Sequence, residues 1–393
     1  MSNSINRRDA LKRGVFSVGA LSLFPAVGFS NNIQAPTLNA KGNIDHTILF
    51  KEHIISEEVK LRAKLNANEN PYGPSPKALK ALKAAASQGN RYGWKSLSEL
   101  IELITAKEGV GADHIMMGPG SSDLLEKFGL VMFMNGGNIV SADPSYMSMM
   151  NVAKSVGAEW KGVKLKDDWS HDLKAMEAAI DDDTKLVYIC NPNNPTGTIT
   201  AYKELYDFCS RVSERVPIFI DEAYLEFIDG KEGISMVSLL NKGKNVIVAR
   251  TFSKIHGMAG LRVGYAAALP ETLQSIQKIT RGGMGITITS IAAALASMKD
   301  KEFLSSSKAK NKEARDFTYE KLVSMGYKPV PSQTSFMIFP QNQLEGKEFL
   351  KRMAAQGVGV RSFQIYDKNW CRVSMGTMSE MQIFINALDQ VIG

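Results

Sequence analysis

Cysteine is scarce in this chain: three residues in 393, at positions 190, 209 and 371, an odd number with no metal-ligand spacing. That excludes a disulfide framework as the basis of the fold, even in an oxidising compartment. Histidine is equally thin, with five residues at 46, 53, 114, 171 and 256 and no paired spacing, so no metal site is expected. Long hydrophobic runs are missing too. The run from Gly14 to Phe29 stops at 16 residues and contains Pro25, short of the roughly 20 needed to span a bilayer as a helix. A large excess of charge is also lacking: the formal net charge is +7, and the first 30 residues hold Arg7, Arg8, Lys12 and Arg13 against Asp9. Without that segment the balance is about +4, with basic and acidic residues interspersed as in Lys51-Glu52, too mild to argue for nucleic acid. No internal repeat or low-complexity segment appears. What is present is an apolar content of 44%, ample for a core, in a length that favours two domains. The nineteen methionines read as adaptable core filler, with Met149 and Met150 also candidates to line a pocket.

The segment Arg250-Thr251-Phe252-Ser253-Lys254-Ile255-His256-Gly257-Met258-Ala259-Gly260-Leu261-Arg262 carries the most chemistry, because it sets one lysine after a serine and eight residues before an arginine. A lysine amine condenses with a carbonyl, while a nearby hydroxyl and guanidinium take a phosphate by hydrogen bonds and charge. Pyridoxal 5'-phosphate asks for all three. An acidic partner for its ring nitrogen is found where Val216-Pro217-Ile218-Phe219-Ile220 ends in Asp221, since open α/β sheets place ligand-binding groups beyond the carboxyl ends of strands. Tyr224, three residues on, is placed to donate to the ring's phenolic oxygen. The run Lys185 to Cys190 breaks into the turn residues Asn191-Pro192-Asn193-Asn194-Pro195-Thr196-Gly197, of which Asn194 stands out as a site candidate. Ile115 to Glu126 gives a strand, a glycine turn and a helix whose first amides, at Ser121 and Ser122, would meet an anion.

In this order and spacing the four segments, together with Leu65 to Pro76 and Trp370 to Thr377, resemble the class I/II, fold-type I pyridoxal phosphate-dependent aminotransferases, most closely the branch that includes histidinol-phosphate aminotransferase. The resemblance runs from about Leu65 to the C-terminus. It implies an α/β fold: a mostly parallel seven-stranded sheet in a large domain, plus a smaller α+β domain. It implies that Lys254 carries the cofactor as a Schiff base and shuttles the proton, that Asp221 pairs with the ring nitrogen, and that Asn194 and Tyr224 bond the phenolic oxygen. Tyr146 would stack on the ring. Ser121, Ser122, Ser253 and Arg262 would hold the phosphate, joined by Tyr92 from a partner subunit, so that a homodimer has composite sites. Arg372 would grip the substrate's carboxylate or phosphate, with Asn70 as a further substrate contact; Arg361 reads by itself as a surface arginine, with a second anion contact as the alternative.

Two departures from the histidinol-phosphate pattern bear on substrate. His256 stands where an aromatic is usual, either tuning proton transfers or packing in the aromatic's place. Thr280 to Thr287 replaces an Arg-x-Pro-aromatic-Asn segment at the substrate entrance. The N-terminus, Asn6-Arg7-Arg8-Asp9-Ala10-Leu11-Lys12 before the apolar run, resembles a twin-arginine export signal. The expected organisation is a signal over residues 1–30, an arm over 31–75 that crosses to the partner subunit, a large cofactor-binding domain over 76–286, and a connecting helix with a small domain over 287–393. Strands are expected near 114, 139, 186, 217, 246 and 263, with helices from Ser75 to Ser87 and Ser96 to Lys107. The expected function is that of an exported, periplasmic aminotransferase exchanging an amino group between an amino acid and a 2-oxo acid, meeting the membrane only in transit. Three alternatives stay open: an amino-acid oxidase or deaminase on the same scaffold, a cytoplasmic-type histidinol-phosphate aminotransferase, and a non-catalytic protein that keeps the pocket.

Overall fold

Short apolar runs become the strands of a central sheet in the computed structural model, which describes residues 60–228, 230–341 and 343–392. After a two-residue strand β1 (Ala63–Lys64), these are β2 (Ile115–Gly118), β3 (Asn138–Asp143), β4 (Glu159–Lys164), β5 (Thr184–Cys190), β6 (Ile218–Asp221), β7 (Val246–Thr251) and β8 (Gly264–Ala267). Their order across the seven-stranded sheet is β2-β8-β7-β6-β5-β3-β4, with β8 antiparallel to both neighbours and the other pairs parallel. Alternation along the strands decides which layer each residue enters. Val187, Ile189, Ile218, Ile220, Val246 and Val248 face a core shared with helices Pro76–Ala85, Trp94–Glu108, Tyr202–Val212 and Ile288–Lys299. Leu186, Tyr188, Phe219, Ile247 and Ala249 face the opposite core, closed by helices Ser121–Phe133, Ser148–Ser155 and Pro270–Gln277. A strand buried on both faces must be apolar throughout, which is why these runs are continuous rather than alternating.

β4 is the strand that the sequence pattern hides. It lies at the sheet edge and its residues are half-buried or exposed, so Glu159, Lys161 and Lys164 are tolerated there. The first helix begins where Ser75 Oγ accepts from the Ala78 amide and Pro76 opens the first turn. Thr287 caps Ile288–Lys299 in the same way.

The C-terminal part folds around β9 (Phe336–Pro340), β10 (Val358–Gly359), β11 (Arg361–Ile365) and β12 (Lys368–Ser374). β11, β12 and β9 form an antiparallel sheet in that order, covered by helices Lys301–Ser324, Gly346–Ala355 and Met378–Ile392. The turn between β11 and β12 is fastened to the large sheet: the Tyr366 hydroxyl donates to the Asp143 carbonyl and accepts from the Leu165 amide at 3.1 Å, and its ring stacks on Trp169.

Residues 60–75, expected at the end of an arm crossing to a partner, pack against the C-terminal part of their own chain. β1 pairs in parallel with β10, Ala63 and Leu65 are buried in the C-terminal core, and the Ser374 amide donates to the Leu65 carbonyl at 2.9 Å. The expected signal over 1–30 and the arm from 31 to 59 lie outside the described residues. Among the described residues no helix is long and apolar enough to cross a membrane. The parallel strands β5, β6 and β7 all end on one edge, at Cys190, Asp221 and Thr251, and the loops that follow carry Asn194, Tyr224 and Lys254.

Candidate active site

The phosphate end begins at the helix Ser121–Phe133. Its N-cap is Gly120, at φ +87°, and no side chain caps the first turn. The leading amides, with the positive end of the helix dipole, are therefore left to an anion. Space decides the residue before them: a Cβ on Gly120 would lie 2.2 Å from Arg262 Nη2, so only glycine lets the guanidinium approach the helix start. Arg262 Nη1 donates to the Ala259 carbonyl at 2.9 Å and reaches Ser253 Oγ at 3.4 Å. Ser253 is set in turn by Thr251, whose hydroxyl donates to Ser253 Oγ at 3.0 Å and accepts from the Ser253 amide at 3.1 Å. Among the described residues no carboxylate pairs with Arg262.

Lys254 follows at once. Its Nζ donates to the Asn68 carbonyl at 3.3 Å and stands 5.4 Å from the centre of the Tyr224 ring. Burial lowers its pKa to about 8, against the opposing pull of Tyr146 and Asp221, which brings the neutral, nucleophilic amine within reach near neutrality. Asp221 is 3% exposed and shows the same desolvation from the other side: its pKa rises to about 6, although it accepts from the Ala223 amide at 3.1 Å and the Tyr188 hydroxyl at 3.2 Å. Its neighbour Glu222 is buried as well but paired with Arg250 at 3.1 Å. Tyr146 lies beside Ser122 and within the electrostatic reach of Asp221, Tyr224 and Lys254. Tyr224 is buried edge-on against Phe336, and burial raises its phenol's pKa.

On the substrate side, Arg372 Nη1 donates to Asn194 Oδ1 at 2.7 Å and Nη2 to the Asn66 carbonyl at 3.4 Å. The guanidinium lies between the rings of Phe336 and Phe363, 5.3 and 5.2 Å from their centres, and its Nε has no partner. Burial lowers its pKa to about 10, and the charge of Arg361 pushes the same way. Arg361 and Arg372 are directly opposite in the β11–β12 ladder, which puts their side chains on one face. Neither has a carboxylate partner among the described residues.

The remaining expected residues are placed differently. Asn70 spends its amide within the protein, donating to the Ile255 carbonyl at 2.9 Å and Ser307 Oγ at 3.3 Å while its Oδ1 accepts from the Tyr72 amide. These bonds tie it to the lysine loop. Tyr92 is 75% exposed beside Trp94 and takes no part in its own chain's cup. His256 is buried, with Nδ1 2.7 Å from Ser297 Oγ, Nε2 3.7 Å from Glu226 and its ring 4.6 Å from that of Phe252, so it packs in the aromatic's place. Sequence reasoning passed over Asn68 and Tyr188. Tyr188 lies two residues before Cys190 on β5 and faces the same layer, a signal that strand alternation could have supplied. Among the described residues no group of His, Cys, Asp and Glu side chains could hold a metal ion.

Pyridoxal phosphate fits this arrangement on its own terms: an uncapped helix start beside an unpaired arginine for the phosphate, and a buried carboxylate lacking a cation for the ring nitrogen. Lys254 lies between Asp221 and Arg262 along the chain. Such a centre is that of a pyridoxal phosphate-dependent transaminase of fold type I. The chain belongs to the aminotransferase class I and II family, whose model matches residues 62–388. It is 35% identical over 331 residues to a histidinol-phosphate aminotransferase of Moorella thermoacetica, covering 84% of this chain and 85% of that one. A second, from Akkermansia muciniphila, is 36% identical over 330 residues, covering 84% and 90%. Among solved structures, histidinol-phosphate aminotransferase from Sinorhizobium meliloti in complex with pyridoxal-5'-phosphate superposes with a TM-score of 0.81 at 27% identity, covering 94% of this chain and 99% of that one. A mutant aspartate aminotransferase from Thermus thermophilus, 19% identical over 93% of this chain and all of that one, shares the fold with a TM-score of 0.77.

When bound, the cofactor supplies the aldehyde that accepts an amino group and the ring that takes up negative charge. The protein's part is positional. Asp221 would pair with the ring nitrogen, Tyr224 and Asn194 would meet the phenolic oxygen, Arg262 with Ser253 and the Ser121 and Ser122 amides would hold the phosphate, and Lys254 Nζ would move the proton.

The pKa of Asp221 carries a stability consequence. A carboxyl whose folded value, about 6, is raised above its unfolded value of 3.8 favours the folded state only while protonated. In the cofactor-free protein its penalty is absent below the unfolded value, grows as pH climbs between the two, and is complete above the folded one. Asp221→Asn should therefore stabilise the cofactor-free protein at pH 7 by on the order of 3 kcal/mol, lose that advantage near pH 4, and bind pyridoxal phosphate weakly. Denaturant unfolding at the two pH values checks this; equal stability of both proteins at pH 7 would refute the desolvated carboxylate.

Proposed function

We propose that the protein transfers the amino group of a phosphorylated amine of the histidinol phosphate class to a 2-oxo acid. The observation that carries this is the pair Arg361 and Arg372 on one face of β11 and β12, two cations without a carboxylate between them. Two adjacent guanidinium groups repel one another, and a monocarboxylate answers only one. A phosphate dianion answers both, with planar forks suited to its oxygens. The relatives at 35 and 36% identity, both histidinol-phosphate aminotransferases, support the same reading. The sequence alone favours exchange between an amino acid and a 2-oxo acid by an exported enzyme; the relatives and the arginine pair support the phosphorylated amine instead.

Export is a separate proposal that competes with the cytoplasmic-type reading, supported by Arg7-Arg8 ahead of the apolar run from Gly14 to Phe29, residues that lie outside the described ones. It would place the folded enzyme in the periplasm. A homodimer with composite sites is likewise proposed: Tyr92 is exposed on the surface, where it is available to a second copy's phosphate cup.

Steady-state kinetics with histidinol phosphate, histidinol and a panel of amino acids, with 2-oxoglutarate as acceptor, test the substrate. The phosphorylated amine should be preferred over histidinol by at least roughly 100-fold in kcat/KM. Arg361→Ala should remove about 10-fold or more of that, mostly in KM. Equal rates on both amines would sink the phosphate reading, and a preference for a free amino acid would restore the other order. For export, cell fractionation should find the wild type in the periplasm and Arg7→Lys/Arg8→Lys retained inside; wild type retained inside ends that proposal. Sedimentation of the purified enzyme should give twice the chain mass, and a monomer that turns over at full rate removes the composite site.

A further inference from the structure

Asn68 is 2% exposed, held at φ +53°, and touches two residues of the chemistry. Its carbonyl accepts from Lys254 Nζ at 3.3 Å and its Nδ2 donates to the Tyr224 hydroxyl at 3.0 Å. The far side of the same residue is bound twice to Ser374 at the end of β12. Asn68's amide nitrogen donates to Ser374 Oγ at 2.8 Å, and Ser374 Oγ donates to Asn68 Oδ1 at 2.8 Å.

We propose that Asn68 is a positioning residue that fixes the direction of the Tyr224 hydroxyl, so that Tyr224 faces the cofactor's phenolic oxygen as a donor only. A backbone N–H can only donate, so it occupies a lone pair of Ser374 Oγ and leaves that hydroxyl's hydrogen for Asn68 Oδ1. The carboxamide is thereby set, with its NH2 toward Tyr224 and its oxygen toward Ser374. An amide NH2 can only donate, so it fills a lone pair of the phenol oxygen and cannot take the phenol's hydrogen. Among the described residues Tyr224 has no acceptor of its own for that hydrogen, and burial keeps the phenol protonated. The hydrogen is directed into the cleft. Asparagine suits the position doubly, because a left-handed backbone is costly for most other side chains and its short amide reaches both partners.

The inference rests on the cofactor and not on the substrate, so it stands or falls separately from the phosphate reading. It is tested on the holoenzyme by the pH midpoint of the bound cofactor's absorption change. A hydrogen bond donated to the phenolic oxygen draws off its negative charge, so the Lys254 nitrogen beside it holds its proton less tightly; loss of the bond moves the midpoint up. Asn68→Gly keeps the left-handed backbone and the carbonyl while removing the amide. It should raise the midpoint by roughly half to one pH unit, the size of one hydrogen bond. Asn68→Asp, which can only accept from Tyr224 when ionised, should raise it further. In a Tyr224→Phe background, Asn68→Gly should add nothing, because its effect passes through Tyr224. An unchanged midpoint in Asn68→Gly, or a shift that persists without the Tyr224 hydroxyl, overturns the proposal. A residue that only supports the fold would alter thermal stability and leave the midpoint in place. Ser374→Ala reads the same link from its other end: it frees the carboxamide to turn and should raise the midpoint by less, and no shift there also counts against the link.

Discussion

Desolvated charge governs this protein. One cleft at the end of β5, β6 and β7 contains the Asp221 carboxylate, the Lys254 amine and the Arg372 guanidinium, each moved from its ordinary pKa by burial before any other influence. Neutralising them against one another would leave nothing for cofactor or substrate. The fold keeps them on separate elements and satisfies them sparingly: Asp221 accepts from Ala223 and Tyr188, Lys254 donates to Asn68, and Arg372 donates to Asn194 and Asn66. The contrast within the dipeptide Asp221-Glu222 shows this: alternation along the chain sends one carboxylate to the cleft without a cation and the next to Arg250 on the other side of the sheet. Stability is supplied elsewhere, by the two continuous apolar cores on either face.

Much of that arrangement was legible in the sequence because it is written in local patterns. β5, β6 and β7 are apolar runs closed by polar residues, and the helix start at Ser121 follows a glycine turn. The chemistry sits at those punctuation points, where a strand stops and its last residue meets the cleft. The lysine, the carboxylate and the phosphate cup could be named because each is defined within a dozen residues of its own strand.

What escaped was set by distance along the chain. Asn68 and Asn70 look alike in Leu65-Asn66-Ala67-Asn68-Glu69-Asn70, and only Ser374, 306 positions away, separates the one that meets Tyr224 from the one that holds Ile255. Residues 60–75 resembled a detached arm because their strand partner is β10, far downstream. β4 was hidden for another reason: an edge strand buries so little that charged residues erase its signal. Arg361 read as an ordinary surface cation until the ladder set it opposite Arg372.

That ladder also fixes a length. Arg372 and Ser374 lie two residues apart on β12, on the same side of the strand, and a pleated strand advances roughly 3.3 Å per residue. The Arg372 guanidinium's strand position and that of the hydroxyl that sets Asn68 are therefore about 6.6 Å apart along a rigid ruler. Any movement of the small sheet shifts both marks together. On the proposed reading, any such displacement would shift the grip on a substrate and the setting of Tyr224 as one, read at two points.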